Sequence, residues 1–124
     1  MKDRLEEIFH WQKAFNDRLR HDRHIDWDQS TWLQKEALAL MVELGEAVEE
    51  ARFKWWKNAE AIDKDKLHEE LVDVLHFFVS MCIDAGMDAE SLYQGYKAKN
   101  QENFKRQQGL SAKSGYMVPK HPEV

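Results

Sequence analysis

Apolar residues recur along this chain at spacings of three and four rather than two, so each long segment predicts a helix with one apolar side. In the first, residues 3–19, Leu5, Ile8, Phe15 and Leu19 mark that side, and Arg18 and Arg20 suit the negative end of the helix dipole. Residues 21–29 read as a polar loop. Ser30 or Thr31 is placed to cap a second, long helix, whose apolar positions Ala37, Leu40, Met41, Leu44, Val48, Ala51 and Trp55 keep the helical period. Residues 58–64 break it. A third helix starts between Asp63 and Lys66, carries Leu67, Leu71, Val74, Leu75, Phe78 and Cys82, and ends at Gly86, a residue suited to the left-handed turn after a helix. Asp88 then caps a fourth helix over residues 89–108. β-branched residues are sparse and alternation never lasts, which argues against a sheet. The expected fold is all-α: a four-helix bundle-like core over residues 1–108, then a mobile C-terminal tail over residues 109–124, where Ser, Lys, Gly and Pro take over.

Composition narrows the class. A chain of 124 residues is long enough for one core and too short for two. Hydrophobic residues make up 43% and charged residues 33%, as in a soluble protein, and no apolar run reaches the roughly 18 residues that a membrane span needs. The charged first residues, Lys2, Asp3, Arg4, Glu6 and Glu7, do not resemble a signal peptide. The one cysteine, Cys82, lies in an apolar helical run and reads as a small core residue, so a reducing cytoplasm is the expected setting. A net charge of −5 argues against broad binding to a nucleic-acid backbone, but not against a small anion held through a metal.

Candidate chemistry lies in two acidic pairs, Glu43-Leu44-Gly45-Glu46 and Glu70-Leu71-Val72-Asp73, each inside an apolar helical run. Residues three apart share a side of a helix, so each pair presents two carboxylates together. A helix, a short loop and a second helix bring the middles of the two helices face to face, which converges four oxygen-bearing groups. Hard cations such as Mg²⁺ and Mn²⁺ take that ligand set. On the second helix Glu36, Glu43, Glu46 and Glu50 form a stripe along the edge of the apolar side; on the third, Glu70 falls inside the apolar arc, between Phe77 and the group Leu67, Val74 and Met81. A carboxylate buried there must be protonated, paired or bound to metal, and the nearby cations Lys66 and His68 point elsewhere. The competing reading is a solvated acidic face. Two pairs on successive helices, one of them pressed into apolar surroundings, favour the metal.

With these residues in view, the chain resembles the all-α nucleoside triphosphate pyrophosphohydrolases, a superfamily that includes MazG-like enzymes, dCTP pyrophosphatases and dimeric dUTPases. Glu43-x-x-Glu46 followed by Glu70-x-x-Asp73 looks like the superfamily's metal motif. Three further segments resemble the dimeric dUTPases in particular: Gln12-Lys13-Ala14-Phe15-Asn16-Asp17, Phe53-Lys54-Trp55-Trp56-Lys57-Asn58, and Leu75-His76-Phe77-Phe78. A fourth, the run from Lys99 to Gln107 with Gly115-Tyr116 beyond, is similar to the family's C-terminal phosphate-binding motif. The stretch from His21 to Thr31 has no matched counterpart, and the short length looks like the compact bacterial or phage type.

The resemblance implies Mg²⁺-dependent hydrolysis of dUTP, and of dUDP as a further substrate, to dUMP, with Glu43, Glu46, Glu70 and Asp73 as ligands and Glu43 or Glu46 as the base that takes a proton from water. The residues are consistent with it. Uracil presents two carbonyls flanking an N–H, and Gln12 and Asn16, one turn apart, offer amides that suit such an edge, though they suit an exposed polar side equally. Trp56 is placed to cover the base, whereas Trp11, Trp27, Trp32 and Trp55 read as core or loop anchors. His76 suits either a nucleoside contact or an interface. Lys99, Asn103 and Arg106 share one side of the fourth helix and, with Lys54 and Lys57, suit a triphosphate as well as a solvated basic stripe. Tyr116 is placed to close over the nucleotide if the tail folds down. Five tryptophans in one small domain suggest surplus apolar surface, which a twofold homodimer covers, and the resemblance points the same way. Two other readings remain: a related pyrophosphohydrolase for another base such as cytosine, and a non-catalytic helical module.

Overall fold

The computed structural model describes residues 3–116. Four helices occupy it, α1 (Arg4–Arg23), α2 (Gln29–Glu50), α3 (Lys64–Asp84) and α4 (Ala89–Gln108), and no strand occurs among the described residues. Two compact units result, Met1–Asp88 with α1 to α3 and Ala89–Val124 with α4. Of the expected tail, residues 117–124 lie outside the described residues.

Short polar side chains start the first three helices. Asp3, Asp28 and Asp63 each turn a carboxylate back onto the backbone N–H three residues on, at 3.4, 2.8 and 3.2 Å, satisfying a donor that the helix leaves open. The cap of α2 is therefore Asp28 rather than Ser30 or Thr31, and its acid is held below the ordinary carboxylate range by the bonds it accepts from Thr31. Helix α1 runs one turn past the expected end, to Arg23, because Arg20, His21 and Arg23 suit its C-terminal dipole and His24 closes it in the left-handed conformation at φ 54°. Helix α2 stops at Glu50 instead of continuing to Trp55. Arg52 turns left-handed at φ 60°, and the loop beyond is held by Lys54 on Glu49 at 2.9 Å, Arg52 on Glu60 at 3.0 Å and edge-on packing of Trp56 with Phe53 and Trp55. No glycine or proline announces that stop.

Pairwise contacts give the helix directions. Across α2 and α3, Glu36 meets Ser80 while Glu43 and Glu46 meet Glu70, so one index rises as the other falls and the helices are antiparallel. Across α1 and α3, Gln12 meets His76, Asn16 meets Ser80 and Arg20 meets Asp84, a constant offset of 64 residues, so those helices run parallel. The fully buried apolar set in this unit is small: Phe9, Ala47, Val79 and Cys82. Large apolar side chains stay exposed in stripes, Leu38, Met41, Val42 and Val48 on α2, Leu71, Leu75 and Phe78 on α3, and Trp11 and Phe15 on α1. Contrary to expectation, neither Trp11 nor Trp55 is core; Trp55 is 85% exposed. Trp32 does anchor, stacking on Trp27 at 4.6 Å and under the Arg20 guanidinium at 3.8 Å.

Gly86 ends α3 as the sequence indicated, at φ 85°, with its N–H on Ile83 and the Met87 N–H on Cys82. An added Cβ would meet nothing within 4 Å, so the cost of Gly86→Ala is backbone strain alone. Urea denaturation should show it less stable by about 1–2 kcal/mol, and an unchanged midpoint would mean that the turn relaxes out of the left-handed region.

Candidate metal and nucleotide site

Glu43 and Glu46 sit on one side of α2 and Glu70 faces them from α3; one carboxylate oxygen from each falls within 4.8 Å of the other two. Asp73 is not one of the three. It is half-buried one turn along α3, lines a cavity together with Glu43, and adds to the charge that Glu43 feels. The cluster is costly without a cation. Glu70 Oε2 is closed to solvent with no hydrogen-bond partner among the described residues. Burial, followed by the neighbouring Glu46 and Glu43 carboxylates, pushes the Glu70 acid up to about 7. Glu43 is raised as well, by burial and then by Glu46. An orphaned buried oxygen amid mutually repelling acids is the donor set that a hard divalent cation relieves, so these residues fit one.

A cavity of about 390 Å³ adjoins the cluster, within the size range of small-molecule sites. Gln12, Asn16, Arg20, Trp32, Glu36, Glu43, Asp73, His76 and Ser80 contribute to its wall, with Phe15, Leu19 and Phe77 as apolar lining. Gln12 and Asn16 are buried, at 8% exposure each, which removes the reading of an exposed polar side. They are members of a hydrogen-bonded chain. His76 Nδ1 lies 2.8 Å from Gln12 Oε1, Gln12 Nε2 donates to Asn16 Oδ1 at 3.0 Å, Asn16 Nδ2 donates to Ser80 Oγ at 2.8 Å, and Ser80 donates to Glu36 Oε2. Beside it Arg20 Nη2 grips Asp84 at 2.8 and 3.1 Å, both partners largely buried. Burial first, then the Asp84 carboxylate, pushes Glu36 up to about 7.

Sequence reasoning placed Glu36 only in the acidic stripe and did not single out Ser80, Arg20 or Asp84. A signal existed: Gln12, Asn16 and Arg20 step by four on α1, and His76, Ser80 and Asp84 step by four on α3. Two matched polar ladders on otherwise apolar helix sides predict a pairing.

The remaining expected residues fall in two places. Lys54, Trp56 and Lys57 line a second cavity, of about 580 Å³, in the loop after α2, with Lys54 paired to Glu49 and Trp56 exposed. Lys99, Asn103 and Arg106 lie on α4, in the second unit. There Lys99 and Asn103 are exposed, while Arg106 donates to Glu102 at 3.1 Å and its guanidinium stands 5.4 Å from the Tyr116 ring. Glu102, holding both Arg106 and Ser111, is kept below the ordinary carboxylate range, by Ser111 first.

A protein-family model described as dUTPase matches residues 4–91, which spans every acid of the cluster and both polar ladders. The chain belongs to this dUTPase family. Two relatives are dCTP pyrophosphatases, from Enterobacteria phage T4 and Enterobacteria phage LZ5; each is 35% identical over 74 residues, 60% of this chain and 43% of the relative. The chain thus spans less than half the length of the curated relatives it matches. No solved structure matches it. No described helix is long and apolar enough to cross a membrane.

Glu36 and Glu70 keep their protons to about 7 in the folded chain against an ordinary 4.5. The native state therefore binds more protons than the unfolded chain between those values, so the stabilisation is complete below the lower one and is lost as pH rises through the upper one. Metal-free protein should resist urea better at about pH 5 than at about pH 8, and Glu70→Gln should flatten that slope and raise stability at the higher pH. A wild-type midpoint that climbs with pH would show that these acids are not held in their neutral form.

Proposed function

We propose that this chain hydrolyses a pyrimidine deoxynucleoside triphosphate, dUTP in the first instance, to the monophosphate and pyrophosphate, with dUDP as a further substrate. Support comes chiefly from the three carboxylates converging beside a cavity whose wall carries buried amides, together with family membership. Glu43, Glu46, Glu70 and Asp73 are the residues that would hold Mg²⁺ or Mn²⁺. Such an ion, when bound, neutralises phosphate charge and acidifies water. Glu43 or Glu46, the two carboxylates on α2, takes the proton from the attacking water; the new P–O bond forms as the bond to pyrophosphate breaks. Gln12 and Asn16 hold the base from the cavity wall, with His76 fixing the Gln12 amide, and the buried walls exclude competing water. Lys54, Lys57, Lys99, Asn103 and Arg106 are assigned to the phosphates, Trp56 and Tyr116 to covering the nucleotide.

A second reading rests on the two phage relatives named as dCTP pyrophosphatases: the same four acids with cytosine in the cavity. Assembly belongs to the proposal too. The exposed apolar stripes on α1, α2 and α3 suit burial against a second copy of the chain in a twofold homodimer, in a cytoplasmic setting.

Pyrophosphate release from dUTP, dCTP, dTTP, UTP and dATP, with Mg²⁺ and with chelator, tests the reaction. Preference for dUTP, lost with chelator and in Glu70→Gln, is expected; release from none of them would move the protein to a binding role. Mg²⁺ at a hundred times its dissociation constant should raise wild-type stability by about 2.7 kcal/mol, and that of Glu70→Gln by much less. Sedimentation should give twice the chain mass, and Met41→Glu should shift it toward the single chain.

A further inference from the structure

Glu36 takes no part in the carboxylate cluster, is only 6% exposed, and lines the cavity. Its Oε2 accepts the Ser80 hydroxyl, while its Oε1 is closed to solvent and has no hydrogen-bond partner among the described residues. Native folds rarely leave a buried acceptor empty without a functional reason.

The hydrogen-bond directions around it are forced. An ionised carboxylate only accepts, so Ser80 spends its one proton on Glu36 and must itself accept from the Asn16 amide nitrogen. The Asn16 oxygen then faces Gln12 nitrogen, the Gln12 oxygen faces His76, and His76 Nδ1 is the donor. Each amide keeps one N–H uncommitted within this chain. On the other side of Glu36 stands Asp84, whose carboxylate accepts two bonds from Arg20 and has no proton to give. The guanidinium of Arg20 uses Nη2 there and carries further N–H groups beside the same cavity. An empty acceptor is thus set between donors on either side.

The geometry points to Glu36 as the residue that reads the base: its Oε1 accepts the ring N–H of uracil, while the spare N–H of Asn16 and the N–H groups of Arg20 serve the flanking carbonyls. This rests on the pyrimidine nucleotide reading above. Uracil's edge runs carbonyl, N–H, carbonyl, whose complement is donor, acceptor, donor. Cytosine carries a lone pair at the central ring nitrogen, and an ionised Glu36 would meet it with a lone pair of its own.

The test compares kcat/KM for dUTP and dCTP, with Mg²⁺, in wild type and Glu36→Gln, together with binding of dUMP, dCMP and N3-methyl-dUMP by calorimetry. Work at about pH 8 keeps Glu36 ionised. Because Ser80 must still donate, the glutamine oxygen turns to Ser80 and its amide N–H turns to the cavity, a donor where an acceptor stood. The ratio of dUTP to dCTP should fall about tenfold or more in the variant, and wild type should bind N3-methyl-dUMP about tenfold or more weaker than dUMP. An unchanged ratio, equal loss on both nucleotides in a folded variant, or wild-type preference for dCTP overturns the assignment. If wild type hydrolyses neither nucleotide, the pyrophosphohydrolase reading fails and binding alone decides Glu36: dUMP preferred and the N3-methyl analogue rejected supports it, no discrimination overturns it. The N3-methyl comparison needs no variant, so it stands even if Glu36→Gln does not fold.

Discussion

Like charges held together govern this structure. Glu43, Glu46 and Glu70 converge between two antiparallel helices, with one oxygen shut away from water, in an arrangement that protonation relieves in part and a divalent cation relieves fully. The helices must be stable enough to carry that strain. Their small apolar core is supplemented by aspartate caps and by polar rungs across α1 and α3, and the destabilisation is confined to the place where chemistry is proposed.

The parallel pairing of α1 with α3 gives the site its second half. A constant offset of 64 residues stacks three contacts one turn apart, so that Gln12, Asn16 and Arg20 are each locked by a partner before any ligand arrives. Buried amides with committed oxygens and uncommitted N–H groups form a preorganised surface, whereas free surface amides would have to be ordered on binding. The ladder ends at Glu36, where α2 joins it through Ser80, and the same α2 carries Glu43 two turns further on. One rigid helix therefore ties the cavity wall to the carboxylate cluster, a coupling suited to placing a base and its phosphates in a fixed relation.

Exposed apolar stripes on all three helices are the counterpart of the small core. Leu38, Met41 and Val42 follow the helical period as faithfully as core positions do. Periodicity reports that a helix side is to be buried; it does not report whether the same chain or another buries it.

Sequence alone determined the helices, their number and most of their ends, because period, caps and Gly86 are local properties of neighbouring residues. It also located the acid pairs, since residues three apart share a helix side whatever the helix packs against, and the motifs that resemble the dUTPases agree with the family model that matches the chain. It misjudged the end of α2, where a left-handed Arg52 gives no compositional sign, and the tryptophans Trp11 and Trp55, whose apolar character does not say what covers them. Only the tertiary structure decided that α1 lies parallel to α3, that Gln12 and Asn16 are buried in a directed hydrogen-bond chain, that Asp73 stands outside the tightest cluster, and that Glu36 is buried with an empty oxygen. Those facts join residues 44 and 64 positions apart, and the energy that fixes them comes from desolvation and hydrogen-bond complementarity between helices, which no local pattern encodes.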